Sequence, residues 1–409
     1  MSIFRSLRHY NYRLFFTGQS ISLVGTWMQR VAISWLIYRL TGSAFLLGLV
    51  TFLSLIPSLV LAPYAGSYVD RHNKFKILII TQVILMLQAG ALALMIWFKH
   101  YDIFWIAALS LVQGLVNAFD VTARQSLMVN LVEDKEDLPN AIALNSSVFN
   151  AARLVGPALA GVILSTLGED ICFIINFVSF IAVLGCLLMM KLKLAEHKKS
   201  TENIWVDLKK GYAYLRTSPD LASMILMMAA SSLLVIPFTT LLPVFAKDIF
   251  SGTATTFGWF ESAAGFGAFF GAIYMATLKA GQHLQKIIII SALLLAVSVI
   301  ALAISPSLIL ALICTGLAAL GLMAQTSSIN TYLQTHADDL MRGRTLSYYI
   351  MAYQGVLPIG SLLMGYFAHQ FGTQLVVAFE GVAGLLIVAA YVYYEKHKSE
   401  FRQNAVSVS

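Results

Sequence analysis

The sequence predicts an all-α membrane protein: twelve transmembrane helices in two pseudo-symmetric six-helix bundles. Three observations carry that prediction. Hydrophobic residues make up 58% of the 409 positions and charged residues only 11%, where a water-soluble chain has about a quarter charged. Apolar runs recur along the whole chain, most of them long enough to cross a roughly 30 Å hydrocarbon layer at about 1.5 Å per residue. The one long polar interruption, residues 192–220, leaves six such runs on either side. Hydrocarbon offers backbone groups no hydrogen bonds, so the runs must be helices, and the alternation of a membrane β-barrel is absent.

Taken in order, the spans are expected at 14–39, 44–68, 76–98, 103–128, 139–167 and 171–191, then 221–245, 255–278, 285–305, 307–331, 345–370 and 373–394. Short polar or glycine-containing breaks bound them. In the first half these are "TGSA", "YVDRHNK", "FKHYD", "VEDKEDLPN" and "LGED"; in the second, "KDIFSGT", "LKAGQHLQK", "SPS", "THADDLMRGR" and "FGT". The domains that follow are an N-terminal bundle at 1–191, a linker at 192–220, a C-terminal bundle at 221–395 and a tail at 396–409. Within the linker, Ile204, Trp205, Leu208, Tyr212 and Leu215 share one helical face, which suits a short helix lying on the membrane surface. A disordered linker is the alternative.

Net charge is +7, but its placement speaks of topology and not of nucleic acid. Of the 27 Lys and Arg, three fall in segments on one side (Arg39, Lys99, Lys247) and three inside spans (Arg30, Arg124, Arg153); all others lie on the opposite side. That bias places both termini in the cytoplasm. Cys172, Cys186 and Cys314 all fall within spans without paired spacing, so they read as packing residues, with no disulfide framework or metal site. No cleavable signal is expected, because the basic start leads into a full-length span. No H-E-x-x-H, G-x-S-x-G or nucleotide-binding loop occurs, which argues against an enzyme and against ATP as direct driver.

The halves also look related. "NLVEDKEDLPNAIALNSSVFNAARLVGPALAG" and "THADDLMRGRTLSYYIMAYQGVLPIGSLLMG" lie half a chain apart, each with an acidic loop and then a span with Gly and Pro near its middle. Weak internal repeats of this kind mark transporters built from two bundles around a midplane site.

Two motifs carry a resemblance. The loop "GSYVDRHNKFK", with Gly66, Asp70, Arg71 and Lys74, resembles the cytoplasmic loop signature of the major facilitator superfamily; physically it is a charge-assisted latch between helix ends. The equivalent second-half loop "GAIYMATLKAGQ" keeps Gly271 but has no Asp-Arg pair, so such a latch belongs to the first half. In the fifth span, "ARLVGPALAG" (Gly156, Pro157, Gly161) resembles the GP-x-x-[GA]-G motif of superfamily exporters, with Ala143 and Ala152 near the places of its upstream glycines. Small residues there allow close helix approach. The opening from "SLRHYNYRLFFTGQS" through "SYVDR", with "LVEDKEDLPNAIAL" and "RGRTLS", is similar to the transmembrane secretion effector branch, which contains macrolide-efflux proteins and enterobactin-type siderophore exporters. That resemblance implies the major facilitator fold, proton-driven export and a bacterial inner-membrane location. It does not supply the cargo.

A charge at mid-bilayer costs roughly 2.5–3.5 kcal/mol even on the lenient insertion scale. Six side chains must meet that cost: Arg30, Asp120, Arg124, Arg153, Glu261 and Glu380. Gln19, Ser22, Thr26, Arg30 and Ser34 form a polar stripe at helical spacing on the first span; Gln113, Asn117, Asp120 and Arg124 do so on the fourth, and Ser146, Asn150 and Arg153 more briefly on the fifth. In the superfamily the first and fourth helices line the central cavity. Asp120 and Arg124 lie near the cytoplasmic end, in reach of Arg71 and Lys74, as latch members or else substrate contacts. Arg30 and Glu261 lie in the outer half, only about 6 Å apart in depth at 1.5 Å per residue.

Arg30 is therefore expected to line the cavity, offset by Glu261 or by an anionic substrate, with Glu261 as proton carrier. A structural ion pair is the alternative. Glu380 reads as structural, Arg153 as either. Trp35, Tyr349 and Tyr353 could stack on a flat substrate. The function expected is proton-coupled antiport: export of a small amphipathic molecule, siderophore-like or a drug, by alternating access. A macrolide-specific pump, a lysophospholipid flippase and a passive uniporter are the alternatives. The proton gradient replaces any cofactor. The partners expected are substrate, protons and lipid, without nucleic acid, for a monomer.

Overall fold

The apolar runs form helices whose ends are set by the expected breaks. A computed structural model gives residues 4–192, 204–277, 284–338 and 340–407. The first half holds α1 (Tyr10–Thr41), α2 (Ala44–Arg71), α3 (Lys74–Trp97), α4 (Ile103–Leu131), α5 (Leu138–Thr166) and α6 (Glu169–Leu188). Gly42, at φ +60°, turns the chain out of α1, and its N–H donates to Tyr38 O at 2.9 Å. Ser43 then caps α2 by accepting from Leu46 N, as Asn73 caps α3 and Asp102 caps α4.

The second half begins with α7 (Ile204–Thr217); residues 193–203 of the expected linker lie outside the described residues. On α7, Gly211 and Leu215 are buried while Lys209, Lys210 and Arg216 are exposed. Then come α8 (Pro219–Leu234), α9 (Leu242–Val244), α10 (Ala254–Thr277), α11 (Leu284–Ala303), α12 (Leu308–His336), α13 (Arg342–Ile350), α14 (Leu357–Phe371) and α15 (Thr373–Ser407).

Ten helical stretches among the described residues are long and apolar enough to cross a membrane. α1 and α10, of 32 and 24 residues, are the other two long helices; both carry polar side chains in mid-length. Two stretches are broken. Pro219–Ile249 passes through a 3-10 turn (Ile236–Leu241), α9 and a π-helical turn (Phe245–Ile249), with Pro237 and Pro243 removing ladder donors. Arg342–Phe371 passes through a π-helical turn at Met351–Gly355 ahead of Pro358.

The chain packs as two units: Met1–Ile204 with Thr240–Gly265, and Trp205–Thr239 with Phe266–Ser409. In the first, α1 packs on α5 and α6, α2 on α4, and α3 on α4 and α6. In the second, α11 packs on α12 and α15, and α8 on α14 and α15. The third span thus meets the fourth and sixth of its half, and the first span meets the fifth and sixth, in both units. That is the pseudo-symmetry expected from the repeat.

Polar links tie the first unit together. Asn176 Nδ2 donates to Gln29 Oε1 at 2.8 Å, Gln29 Nε2 to Gln88 Oε1 at 3.0 Å, and Gln88 Nε2 to Leu109 O at 3.3 Å, joining α6, α1, α3 and α4 inside the core. Before α1, a clasp forms around Asp137, which accepts from His9 at 3.0 Å and pairs with Arg5 at 3.1 Å and Arg8 at 2.9 Å. The hydrogen bond from His9 and the two guanidinium groups hold its carboxyl below the usual carboxylate range. The stability it adds is therefore present above that usual range and is lost as pH falls through the depressed value. Thermal unfolding in detergent should show Asp137→Asn flattening the acid limb of the stability–pH curve; an unchanged limb would remove the clasp from the account.

In the second unit Glu380 on α15 is fully buried, with no partner for either carboxylate oxygen among the described residues.

Candidate functional site

Three of the intramembrane charges come together in the first unit. α5 approaches α1 at Gly156, where a Cβ would stand 2.6 Å from Trp27 Cβ and 3.2 Å from Val24 O. Glycine is what seats α5 against that indole. Two guanidinium groups share the ring: Arg30, three residues further along α1, with Cζ 5.1 Å from its centroid, and Arg153 from α5 at 5.8 Å. Phe149 meets the ring edge-on at 5.8 Å. An indole face attracts cations, which offsets part of the repulsion between two like charges.

The acidic group arrives on α10. A Cβ on Gly258 would lie 2.6 Å from Gly161 Cα and 3.1 Å from Pro157 O, and one on Gly265 would lie 2.9 Å from Leu154 Cα and 3.0 Å from Arg153 O. The two helices therefore run antiparallel in backbone contact. Gly258, Glu261 and Gly265, spaced three and four apart, share the face of α10 that meets α5. Glu261 is thereby placed on the face of α10 turned towards α5, the helix that carries Arg153. Thr255 Oγ1 donates to Gly161 O at 3.3 Å, and Phe257 stacks on Trp35 at 6.3 Å. Arg30 is exposed, while Trp27, Arg153 and Glu261 are half-buried.

At the far end of α1, the Tyr38 hydroxyl donates to the Asp248 carboxylate. Lys247 Nζ reaches the Tyr38 and Arg39 carbonyls at 3.5 Å and lies 5.2 Å from the Tyr38 ring. A cation at a helix C-terminus complements its dipole. Arg39 pairs with Glu169 at 2.6 Å.

The other expected site residues are spread. Thr26 is half-buried and donates to Ser22 O at 2.9 Å, and Gln19 is buried with its Nε2 unpartnered among the described residues. Asn117 is half-buried on α4. Tyr353 belongs to the second unit, in the π-helical turn, and stacks on Tyr349 at 6.3 Å. The Asp120 carboxylate is buried and accepts from Thr81 at 2.9 Å and Gln82 at 2.7 Å, and it pairs with Arg124 one turn along its own helix. Its partners thus come from α3 and α4, while Arg71 is exposed and Lys74 half-buried at the helix ends near Gly66. The side chain of Asp70 lies outside the described residues. Among those described, no cluster of His, Cys, Asp or Glu could hold a metal ion.

Trp27 is the residue that sequence reasoning passed over. Its signal was the three-residue spacing to Arg30, which sets a cation over a ring on one helix face.

The family model for the transmembrane secretion effectors matches residues 1–408. The chain belongs to that family. Among curated relatives, the staphyloferrin A transporter of Staphylococcus aureus (strain NCTC 8325 / PS 47) is 26% identical over 94% of this chain and 96% of its own. Macrolide efflux protein A of Streptococcus pyogenes is 23% identical over 87% and 89%. Among solved structures, a bacterial homologue of the human lysosomal transporter Spinster superposes with a TM-score of 0.75 at 13% identity, covering 95% of this chain and 97% of that one. The fold is that of the major facilitator superfamily. This secretion effector is accordingly a multi-pass membrane transporter of a small molecule. In it, two cations from different helices share one indole, and an acid sits on the helix face packed against one of them, where no single sequence window could display them.

Proposed function

We propose that the protein is a proton-coupled secondary active exporter of a small amphipathic molecule in a bacterial cytoplasmic membrane. It works by alternating access between bundles 1–191 and 221–395, with both termini in the cytoplasm. The observation that carries this reading is the sharing of the Trp27 ring by Arg30 and Arg153, with Glu261 on the face of α10 that packs against α5. Two guanidinium groups bind a cargo's acidic group, the indole offers a flat apolar face, and the carboxyl carries the proton. A siderophore-like anionic metabolite fits that charge, and the staphyloferrin A transporter among the relatives supports it.

The second reading is a macrolide-like cationic drug, supported by the macrolide efflux relative. Such a cation would compete with the proton for Glu261, which is the arrangement that proton exchange requires.

The test compares compounds released by cells making the protein, its Glu261→Gln variant or neither, with and without a protonophore, by mass spectrometry. A compound released only by the unmodified protein, and only with a proton gradient, is the expected result. Equal release by the variant would show that Glu261 is structural.

A further inference from the structure

Glu380 stands where the first unit places Asn176. Each is the eighth residue of the sixth span of its half, on α15 and α6. The contacts of the next residue fix that register. A Cβ on Gly90 would lie 3.0 Å from Phe177 Cδ2, and one on Gly381 would lie 2.8 Å from Ile300 N. Gly90 and Ile300 are each the seventeenth residue of the third span, α3 and α11. What surrounds the place differs. Asn176 donates to Gln29, Gln29 donates to Gln88, and the Ser179 hydroxyl donates to Asn176 Oδ1 at 3.2 Å. In α11 the counterpart of Gln88 is the shorter Ser298. Glu380 is fully buried, and neither of its carboxylate oxygens has a hydrogen-bond partner among the described residues.

A structural carboxyl at this depth needs a partner, because an ionised carboxylate alone in hydrocarbon is strongly disfavoured. The helices packed on α15, namely α8, α11 and α14, bring no charge to it. Lys286 on α11 and Asp220 on α8 lie fourteen and fifteen residues from Ile300 and Val235, about 21 Å along each helix at 1.5 Å per residue. Tyr366 and His369 on α14 are exposed. The nearest ionisable residue of α15 itself is Tyr391, about three turns along.

We infer that Glu380 is a second proton site of the transport cycle: its carboxyl is neutral in this conformation and exchanges its proton with water when the α8 wall beside it moves. The two walls differ. On the α11 side α15 is in backbone contact, with a Cβ on Gly381 standing 2.9 Å from Ala296 O. On the α8 side a Cβ on Gly384 would meet the Val235 side chain at an ordinary 3.4 Å. Val235 is followed at once by the 3-10 turn Ile236–Leu241, where Pro237 gives no N–H to the ladder. A helix interrupted there bends more readily than an unbroken one. The inference rests on the proton-exchange reading for its place in transport and adds a proton to it. In the topology proposed above, Glu380 lies seven residues in from the outer end of α15, about 10 Å at 1.5 Å per residue. A proton loaded there from outside and released inward runs down the gradient that drives export, alongside the one on Glu261.

The test is infrared difference spectroscopy of the purified full-length protein, its Glu380→Gln variant and its Glu261→Gln variant. It follows the carbonyl band of protonated carboxyls in light and heavy water. The expected result is a band that shifts in heavy water, is lost in Glu380→Gln and persists in Glu261→Gln. If Glu380→Gln loses no band, the carboxylate is ionised and the inference is overturned. A lost band that never shifts marks a sealed structural acid and overturns it too. Should Glu380→Gln not fold, the unmodified protein is treated with dicyclohexylcarbodiimide, an apolar reagent that adds to protonated carboxyls. An adduct mapped to Glu380 by mass spectrometry then supports the site, and its absence overturns it. In the release assay, Glu380→Gln should still export, but the cargo gradient sustained by a tenfold proton gradient should fall about tenfold, the share of one proton. An unchanged cargo gradient overturns the role in transport while leaving Glu261 in place. Release by the unmodified protein that ignores the protonophore overturns the proton-exchange reading, and with it the transport role, while the infrared band still reports on Glu380 alone.

Discussion

Gly161→Leu is expected to abolish export and to lower thermal stability sharply. Gly161 and Gly258 touch through their backbones: a Cβ on Gly161 would lie 2.8 Å from Gly258 Cα, and one on Gly258 would lie 2.6 Å from Gly161 Cα. No rotamer relieves a clash with backbone, so the helices must separate. Overpacking costs about 1–3 kcal/mol in ordinary cores, and a rigid neighbour places this site at the upper end. Separation would also draw Glu261, one turn along α10, away from Arg153. Even Gly161→Ala should lose most export. Gly185→Ala, where an added Cβ meets nothing within 4 Å, should unfold like the unmodified protein. If Gly161→Leu unfolds at the unmodified temperature and still exports, α5 and α10 do not depend on this contact.

The second large effect belongs to Gly25→Ala. Its Cβ would fall 2.7 Å from both Asn176 Oδ1 and Ser179 Oγ. Asn176 cannot retreat freely, because its amide donates to Gln29 and Gln29 to Gln88. Displacing it leaves buried amide groups unpaired, each at about 1–3 kcal/mol. Gly18→Ala, one stretch earlier on α1, meets Cys186 Cβ at a more forgiving 3.1 Å. The expected order of melting temperature in detergent is unmodified protein, then Gly18→Ala, then Gly25→Ala well below both. A Gly25→Ala protein as stable as Gly18→Ala would mean that the amide chain contributes little.

Much of the fold was legible because hydrophobic runs and their breaks are local signals. The expected spans match the helices to within roughly five residues at each end, except the last, where α15 runs on past 394 to Ser407. The expected first and second spans, 14–39 and 44–68, meet α1 and α2 across Gly42. What was not legible depends on distance. The chain Asn176–Gln29–Gln88 joins three amide residues that no periodicity connects. Besides Arg124 on its own helix, the partners of Asp120 are Thr81 and Gln82, two common polar residues on another helix that no charge pattern singles out. The breaks at Phe245–Ile249 and Met351–Gly355 lie inside apolar stretches, where hydropathy carries no information about backbone winding.

For the site itself, depth counting brought Arg30 and Glu261 to similar levels, and their chemistry made them candidates. Arg153 stood undecided, because its stripe on α5 is short. Its sharing of the Trp27 ring with Arg30 became visible only once α5 was set against α1 through Gly156.

The most direct measurement of the central claim, that these three charges work as one site, is cargo export at equal membrane abundance by Arg30→Gln, Arg153→Gln and Glu261→Gln. The account predicts that each substitution alone takes export to background while the folded protein remains in the membrane. Export at the unmodified rate by both arginine variants would contradict it.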